Sequence, residues 1–338
     1  MLLYSFILIW FSLTLLSALP AIPSSRACKN PPKRFEWRQL SNTQKKSYID
    51  AVLCLTKRTA KSGIAGTVHR YDDHVAIHNV QTPNIHWVGH FVLWHRYFVA
   101  TLEAALRDEC GYTGGQPYWD WSLDAEPHNP SSTKPFESAI FDPYTGFGGN
   151  GPYIAPTPEQ NVFNISGGTG GGCVQDGPFI ASAFPLNFPT LDCLRRDFIP
   201  WIMNTWADPK LVRNVLAQED YTSFAKAIEH LRSFKSPNIH GSGHFGIGGV
   251  LGTIGNAANS PGDPLFFLHH ANLDRYFWEW QQKNLTARLN QVGGPIIPLD
   301  YSGKNVTLDF TLHLGNLAGN ATLKDLLNTV GGTLCYTY

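Results

Sequence analysis

Histidines at helical spacing place the strongest constraint on how this chain can fold. They form two groups, one from His78 to His95 and one from His240 to His270. His240 and His244 are four residues apart, so on a helix both imidazoles lie on one face. Neither group has a cysteine or a carboxylate ligand nearby in the sequence, which suits a borderline metal that prefers imidazole. Two such groups predict a centre with two metal ions, and copper is the first choice.

The composition narrows the range of partners. The chain has 338 residues, of which 43% are hydrophobic and 13% aromatic, so it can bury one large core. Lys plus Arg and Asp plus Glu each number 26, so the charge gives no reason to expect a nucleic acid or an anionic membrane surface as a partner. We therefore expect a small uncharged ligand and no nucleic acid, and the oligomeric state is left open.

Three motifs carry a resemblance to a known family. They read Phe91-x-x-Trp94-His95-Arg96, Pro117-Tyr118-Trp119-Asp120-Trp121 and Asp263-Pro264-x-Phe266-x-x-His269-His270-x-x-x-Asp274-Arg275. These motifs resemble the two copper-binding regions of the tyrosinase and catechol oxidase family. Over nearly all of the chain after residue 21, the sequence most resembles the short secreted polyphenol oxidases of fungi.

The resemblance implies which histidines bind copper. In related fungal enzymes the first-site ligands lie eight and then nine residues apart, and the second site uses the second histidine of an adjacent pair. The implied ligands of two copper ions are His78, His86, His95, His240, His244 and His270. His269 should pack beside the pocket, because adjacent helical residues point about 100° apart.

Spacing alone does not decide which histidines are the ligands of the first site. His69 and His74 compete with His78 for one ligand position, and only the family pattern chooses among them. His90 lies four residues after His86, and we expect it to be hydrogen-bonded on the flank of the helix rather than to bind metal.

Two further residues near the implied ligands have expected roles. Many family members carry a cysteine two residues before the second ligand, where it forms a thioether with that imidazole. Here the position is Asn84, so no such crosslink forms and His86 should move more freely. Asp274, one turn after His270, should hydrogen-bond a ligand imidazole, and the alternatives are an N-terminal helix charge or an ion pair with Arg275.

Six imidazoles around two copper ions imply an oxidase. Three neutral ligands for each ion leave room for the co-substrate O2, and an o-diphenol that gives up two electrons and two protons leaves as an o-quinone. We predict a type-3 dicopper oxidase that acts on small phenols. Haemocyanin-like O2 binding and a zinc hydrolase are the alternatives. The hydrolase is disfavoured because the Glu that metalloproteases carry after the first His of His-x-x-x-His is Gly241 here.

Hydroxylation of monophenols requires a base for the phenolic proton. In related enzymes a Glu near the second site, helped by an Asn just after the first ligand of that site, holds the water that takes this proton. The candidate here is Glu229, which lies eleven residues before His240 rather than the expected nine. The alternative is that Glu229 is an exposed helix residue without this role. Gly241 has no side chain to share the task. General-base help is worth about 10²–10⁴ in rate, so diphenols should be preferred and monophenols turned over slowly.

Residues 1–21 read as a secretory signal peptide. Positions 1–19 contain no charged side chain and are rich in Leu, Ile and Phe, and an uncleaved membrane anchor is the alternative. Secretion agrees with six cysteines in an oxidising route and with four sequons for N-glycosylation, which begin at Asn164, Asn284, Asn305 and Asn320. We expect a secreted glycoprotein without stable membrane association. Three disulfides are expected, namely Cys173–Cys193 across a glycine-rich loop, Cys28–Cys335 at the chain ends and Cys54–Cys110.

The apolar periodicity predicts a mostly α fold. We expect a four-helix bundle that holds the copper pair, with long loops and a few short β-strands. A capping box at Ser41 and Gln44 predicts a helix over about 43–57, an apolar stripe predicts another over 88–107, and more helices follow 197. The Pro- and Gly-rich stretch 122–200 predicts long loops, and short β-like runs occur at 306–308 and 311–312.

The end of the chain also resembles the family. Tyr336-Thr337-Tyr338 is similar to the motif at which the catalytic domain of many polyphenol oxidases ends. We therefore expect residues 22–338 to form one tyrosinase-like catalytic domain without a C-terminal shielding domain. Arg38 is the expected cation–π partner of the two tyrosines.

Overall fold

Helices form most of the regular structure. A computed structural model describes residues 28–230, 234 and 236–338, so the signal peptide predicted over 1–21 lies outside the described residues. The helices found there are α1 (Asn42–Leu55), α2 (Arg70–Ile85), α3 (Phe91–Cys110), α4 (Pro200–Trp206), α5 (Pro209–Leu216), α6 (Tyr221–Glu229), α7 (Ile239–Gly248), α8 (Leu265–Gln282), α9 (Leu285–Arg288) and α10 (Leu323–Leu327). Within this part of the chain, no helix is both long and apolar enough to cross a membrane.

Local signals explain where two of these helices begin and end. At the start of α1, Ser41 Oγ accepts from the Gln44 amide at 3.3 Å, and Gln44 Oε1 accepts from the Ser41 amide at 2.9 Å. This is the predicted capping box. Helix α3 lies three residues later than predicted at both ends. It ends at Gly111, whose φ of 72° is a left-handed conformation that a residue without Cβ adopts readily.

Four helices, α2, α3, α7 and α8, surround the centre of the fold. Helix α3 packs against α8 and α2, and α7 packs against α8. Their facing sides bury large aromatic residues, among them Trp94, Phe98, Phe266 and Phe267. The predicted four-helix arrangement within a mostly α fold is confirmed.

Long segments without helix or strand connect these helices, as predicted. Between α3 and α4 the described chain has only short 3-10 turns, such as Lys134–Glu137 and Ala139–Phe141. Buried Arg196 ties this segment to the start of α8, because its Nε lies 2.8 Å from Asp263 Oδ2. The segment therefore has a fixed place without regular structure of its own.

The short strands lie only partly where they were predicted. Among the described residues, the paired strands are β1 (Thr311–Leu312) and β2 (Ala321–Thr322), which are antiparallel with Thr311 opposite Thr322. The predicted strand at 306–308 is wrong. The amide of Val306 donates to the Gly294 carbonyl in a loop, at 3.0 Å, so no neighbouring strand is available to form a ladder.

All three expected disulfides are present. They join Cys28 to Cys335, Cys54 to Cys110 and Cys173 to Cys193. The first joins the two ends of the described chain, the second joins α1 to the end of α3, and the third closes the glycine-rich loop.

The last residues of the chain contact Arg34, so the prediction of Arg38 is wrong. The guanidinium carbon of Arg34 lies 3.4 Å from the centre of the Tyr336 ring. Arg38 lies in a short turn that Glu36 caps, and its guanidinium pairs with Glu36 at 2.7 Å and with Asp124 at 2.7 Å. These carboxylates hold Arg38 away from the tyrosine pair.

Candidate metal centre

The first histidine group comes from α2 and α3. His78 lies in the middle of α2, His86 is the residue that follows its last turn, and His95 lies in the second turn of α3. One nitrogen from each ring lies within 4.8 Å of the others, and all three residues are buried. The sequence-predicted trio therefore meets in one place.

Backbone carbonyls orient these three rings. Each ring has its Nδ1 within 3.1 Å of a carbonyl oxygen, which belongs to Ala258 for His78, to Thr82 for His86 and to Phe91 for His95. A carbonyl oxygen only accepts, so Nδ1 carries the hydrogen and the lone pair of the neutral ring lies on Nε2. A histidine held in this way has the tautomer and the orientation that metal ligands require.

The second histidine group comes from α7 and α8. It contains His240, His244, His269 and His270, and one nitrogen from each ring lies within 4.8 Å of the others. His244 donates from Nδ1 to the Ile254 carbonyl at 2.8 Å, and its Nε2 lies 3.2 Å from Nε2 of His270. Two imidazole nitrogens that share one ion at about 2.0–2.1 Å lie about this far apart.

Hydrogen bonding distinguishes His269 from His270. The indole N–H of Trp121 donates to Nδ1 of His269 at 3.0 Å. An indole N–H only donates, so the neutral His269 ring carries its own hydrogen on Nε2 and offers no lone pair there. The ring packs closely on α7, where a Cβ at Gly243 would overlap it. His270 instead directs Nε2 toward His244.

The two groups touch each other. The rings of His95 and His270 are stacked, with centroids 4.3 Å apart and planes 12° apart. His86 and His240 also face each other, with centroids at 6.0 Å and planes 21° apart. The two groups therefore form one cluster of imidazoles rather than two separate sites.

Burial keeps these imidazoles neutral. It lowers the pKa of His244 to about 4. Burial, and then repulsion among the neighbouring rings, lowers the pKa of His78, His95, His240 and His270 well below the usual value. Neutral imidazole is the form that binds a metal, so no proton has to be removed from these rings first.

The donor atoms fit copper. Within the part of the chain that the structure describes, both groups contain imidazoles only, without thiolate or carboxylate. The buried Nε2 atoms of His78, His95 and His240 have no hydrogen-bond partner. Buried polar atoms are normally paired, and a bound ion would satisfy all three. An imidazole-only set of borderline ligands suits copper.

The rival histidines lie outside both groups. His69 caps the start of α2, where its Nδ1 accepts from the Asp72 amide at 3.1 Å. His74 is buried in the core of the bundle. His90 donates from Nε2 to the Asn84 carbonyl at 2.9 Å, which agrees with its expected place on the flank of the helix.

Glu229 is buried, so the exposed helix position considered for it is wrong. The residue ends α6 and is 5% exposed, and its Oε2 accepts from the Trp87 amide at 2.7 Å. No residue in the described part of the chain hydrogen-bonds to its Oε1. Burial raises the pKa of Glu229 well above its usual value, although the hydrogen bond from Trp87 opposes this shift. Because Trp87 follows His86 in the sequence, this hydrogen bond places the Glu229 carboxyl group next to a member of the first histidine group.

Asp274 contacts neither a ligand imidazole nor Arg275 and lies in the middle of α8 rather than at its N-terminus, so all three expectations for it are wrong. It accepts from Arg96 at 2.5 Å and from Arg34 at 3.1 Å. The hydroxyls of Tyr336 and Tyr338 each donate to it at 2.6 Å. Helical spacing places Asp274 near His270, but α3 and the chain end supply stronger partners. Neither Arg34 nor Arg96 was predicted to lie here, and the Arg that follows His95 in the sequence was the available signal.

The cluster opens at His240. Among the described histidines of the two groups, it alone is partly exposed. Phe91 packs edge-on against its ring, with centroids 4.8 Å apart. On the other side, Trp206 lies against α7, and a Cβ at Gly241 would be 2.5 Å from its Cζ3 atom. A larger residue than glycine has no room beside His240 unless Trp206 moves.

Known proteins similar to this chain show which family it belongs to. Residues 68–283 match the family model of the common central domain of tyrosinase. The tyrosinase ustQ of Aspergillus flavus is 33% identical over 332 residues, which cover 96% of this chain and 84% of that protein. The N-acetyl-6-hydroxytryptophan oxidase ivoB of Emericella nidulans is 29% identical over 347 residues, which cover 92% of this chain and 93% of that oxidase.

Solved structures extend the likeness to three dimensions. A polyphenol oxidase variant from Thermothelomyces thermophila matches with a TM-score of 0.76 and 31% identity, over 91% of this chain and 88% of that one. A deoxygenated haemocyanin from Rapana thomasiana, at 22% identity and a TM-score of 0.51, covers 76% of this chain and 56% of its own, and shares the fold alone. With a family model that spans both histidine groups and relatives that match over most of their length, the chain belongs to the tyrosinase family.

Proposed function

We propose that this protein is a type-3 dicopper oxidase that uses O2 to oxidise small o-diphenols to o-quinones. The observation that carries the proposal is a single buried cluster in which neutral imidazoles from α2, α3, α7 and α8 converge. Membership of the tyrosinase family makes the protein an oxidase of that class. The choice of o-diphenols as substrates is the specific part of the proposal.

Six of the clustered histidines are the proposed ligands of two copper ions. His78, His86 and His95 would hold one ion, and His240, His244 and His270 would hold the other. His269 is left out, because its Nδ1 lone pair already accepts the hydrogen bond from Trp121. When bound, copper would supply O2 binding and the uptake of two electrons from the diphenol.

A flat uncharged phenol suits the opening at His240. Phe91 and the partly exposed His240 ring offer aromatic surfaces, and aromatic pairs favour stacked or edge-on contact. The equal numbers of acidic and basic residues give no attraction for a charged substrate. These features orient the ring of a phenol without a salt bridge.

Glu229 is the proposed base that assists monophenols. Among the described residues its Oε1 has no hydrogen-bond partner, so it is available to a water molecule. Burial raises its pKa, so a smaller fraction of it is ionised at neutral pH than for an exposed Glu. Gly241 provides no side chain to help hold that water. We therefore propose that diphenols are the preferred substrates and that monophenols react slowly.

Secretion is also part of the proposal. Three disulfides fit an oxidising compartment, and each of the four sequon asparagines is exposed. We propose that residues 22–338 form one glycosylated catalytic domain after removal of a signal peptide. Mass determination of the secreted protein before and after deglycosylation tests this.

Oxidation of catechol by the copper-loaded protein tests the main proposal. We expect two copper ions per chain, consumption of O2 and formation of o-quinone with 4-methylcatechol, with much slower reaction of tyrosol. Reversible O2 binding without catechol oxidation would indicate an O2 carrier instead. Full activity with zinc in place of copper would contradict the proposed redox chemistry.

A further inference from the structure

The residue after His86 is held at both of its backbone polar groups. The Trp87 amide donates to Oε2 of Glu229 at 2.7 Å, and the Trp87 carbonyl accepts from the Leu299 amide at 3.0 Å. Trp87 has a φ of 55°, a left-handed conformation that aromatic residues rarely adopt. Such a conformation persists only where the surroundings fix it. Contacts from α6 and from the segment after α9 therefore fix this turn.

Gly89, two residues further on, is held in the same way. Its amide donates to the Pro295 carbonyl at 2.7 Å, and its carbonyl accepts from the hydroxyl of Tyr221 at 2.8 Å. A Cβ at Gly89 would overlap the carbonyl oxygen of Gly293. Only glycine allows the two segments to approach this closely. The turn between α2 and α3 thus has four backbone hydrogen bonds to distant residues.

His86 depends on this turn more than the other members of its group do. His78 and His95 lie inside helices, where the helical hydrogen bonds hold their backbone. His86 follows the last turn of α2 with extended dihedral angles, φ −119° and ψ 145°. Its ring hydrogen bond to Thr82 orients the imidazole but does not hold the backbone that follows.

We propose that Tyr221, Glu229, Pro295 and Leu299, here called the His86 clamp, position His86 for copper binding. The clamp rests on the proposed function, because it acts through His86 as a copper ligand. It also replaces the expectation that His86 moves freely because Asn84 cannot form a thioether. Glu229 is here a positioning residue through Oε2, whereas its proposed role as a base uses Oε1.

Copper retention in four variants tests the clamp. Glu229→Ala removes the acceptor for the Trp87 amide, and Tyr221→Phe removes only the hydroxyl that binds Gly89. Each should release one of the two copper ions to a chelator about 10–100-fold faster than the parent protein, the range expected when a partner behind a ligand is lost. Glu229→Gln keeps an amide oxygen as acceptor and should retain copper like the parent protein.

Tyr48→Phe is the matched control. Its hydroxyl is also buried and hydrogen-bonded, to Gln116 Nε2 at 2.9 Å, but it lies on α1 away from the histidines. This variant should release copper like the parent protein. Hydrogen exchange of the Trp87 amide in the metal-free protein provides a second measurement, and Glu229→Ala should lose protection there while Glu229→Gln keeps it.

The possible failures are distinguishable. If Glu229→Ala and Tyr221→Phe retain copper like the parent protein, or if Glu229→Gln loses copper as fast as Glu229→Ala, the clamp proposal is wrong. If Tyr48→Phe lost copper equally fast, the copper loss would reflect general destabilisation, and the clamp proposal would again be wrong. A parent protein that binds fewer than two copper ions, or His86→Ala with both ions retained, would contradict the proposed ligand set instead.

Discussion

Arg96 donates from Nε to Oδ1 of Asp274 at 2.5 Å in the buried space between α3 and α8. Arg96 follows His95, and Asp274 lies one helical turn after His270. The ion pair therefore joins the two helices next to the stacked rings of His95 and His270, which are 4.3 Å apart. Burial raises the pKa of Asp274, but the charges of Arg96 and Arg34 hold it below its usual value. The carboxylate therefore stays ionised, and its ion pair with Arg96 holds α3 and α8 together.

Removing Arg34 should strongly destabilise the fold. Arg34 is fully buried and pairs with Glu103 at 2.5 Å and with Asp274 at 3.1 Å, so Arg34→Ala leaves buried carboxylates with less compensation. Breaking a buried ion pair typically costs about 3–5 kcal/mol. Chemical denaturation should show this loss in the free energy of unfolding. Arg38→Ala, at a partly exposed arginine, should cost clearly less, and an equal loss in both variants would contradict the prediction.

Substitutions within the adjacent histidine pair should have unequal effects on copper. His270→Ala should lose at least one copper ion and nearly all oxidation of catechol, because its Nε2 converges with that of His244. His269→Ala should retain more copper, since the indole N–H of Trp121 already occupies the lone pair of the His269 ring. Metal analysis of both purified variants checks this. The reverse order of copper loss would exclude our choice of ligand.

Monophenol turnover relative to diphenol turnover should rise with pH. The proposed base works only when ionised, and burial raises the pKa of Glu229, so its active form accumulates as the pH increases. The neighbouring Tyr221 and Tyr301 have raised pKa values as well and stay neutral over this range. Rates with tyrosol and 4-methylcatechol across pH provide the measurement. In Glu229→Gln the ratio should fall, by up to about 10²–10⁴, and lose its pH dependence.

Introducing the family asparagine at position 241 should reduce stability. A side chain at Gly241 meets Trp206, whose Cζ3 would lie 2.5 Å from the new Cβ. Overpacking of this kind typically costs about 1–3 kcal/mol. Thermal or chemical unfolding of Gly241→Asn should show the loss, and the same substitution should cost less in a Trp206→Leu background than in the parent protein. Gly319→Asn is the control, because a Cβ at Gly319 meets no atom within 4 Å.

Local patterns in the sequence predicted much of the fold. The capping box at Ser41 and Gln44 was found as expected, since both partners lie within one turn. The spacing of His240 and His244 placed them on one face of α7. Helix α3 begins and ends three residues later than predicted, because apolar periodicity does not reveal the backbone turn at Trp87. The prediction of a strand at 306–308 was wrong, because strand pairing depends on a partner that is distant in the sequence.

The sequence by itself determined the helical class, the even set of six cysteines and the two histidine groups, because helical periodicity, cysteine positions and motif spacing are properties of the chain. Only the tertiary structure decided which residues meet across long separations. Trp121 reaches His269 across 148 positions, and Trp87 reaches Glu229 across 142. Arg34, rather than nearby Arg38, faces the tyrosine pair because Glu36 and Asp124 hold Arg38 elsewhere. Such partners follow from the packing of whole helices, which no local pattern encodes.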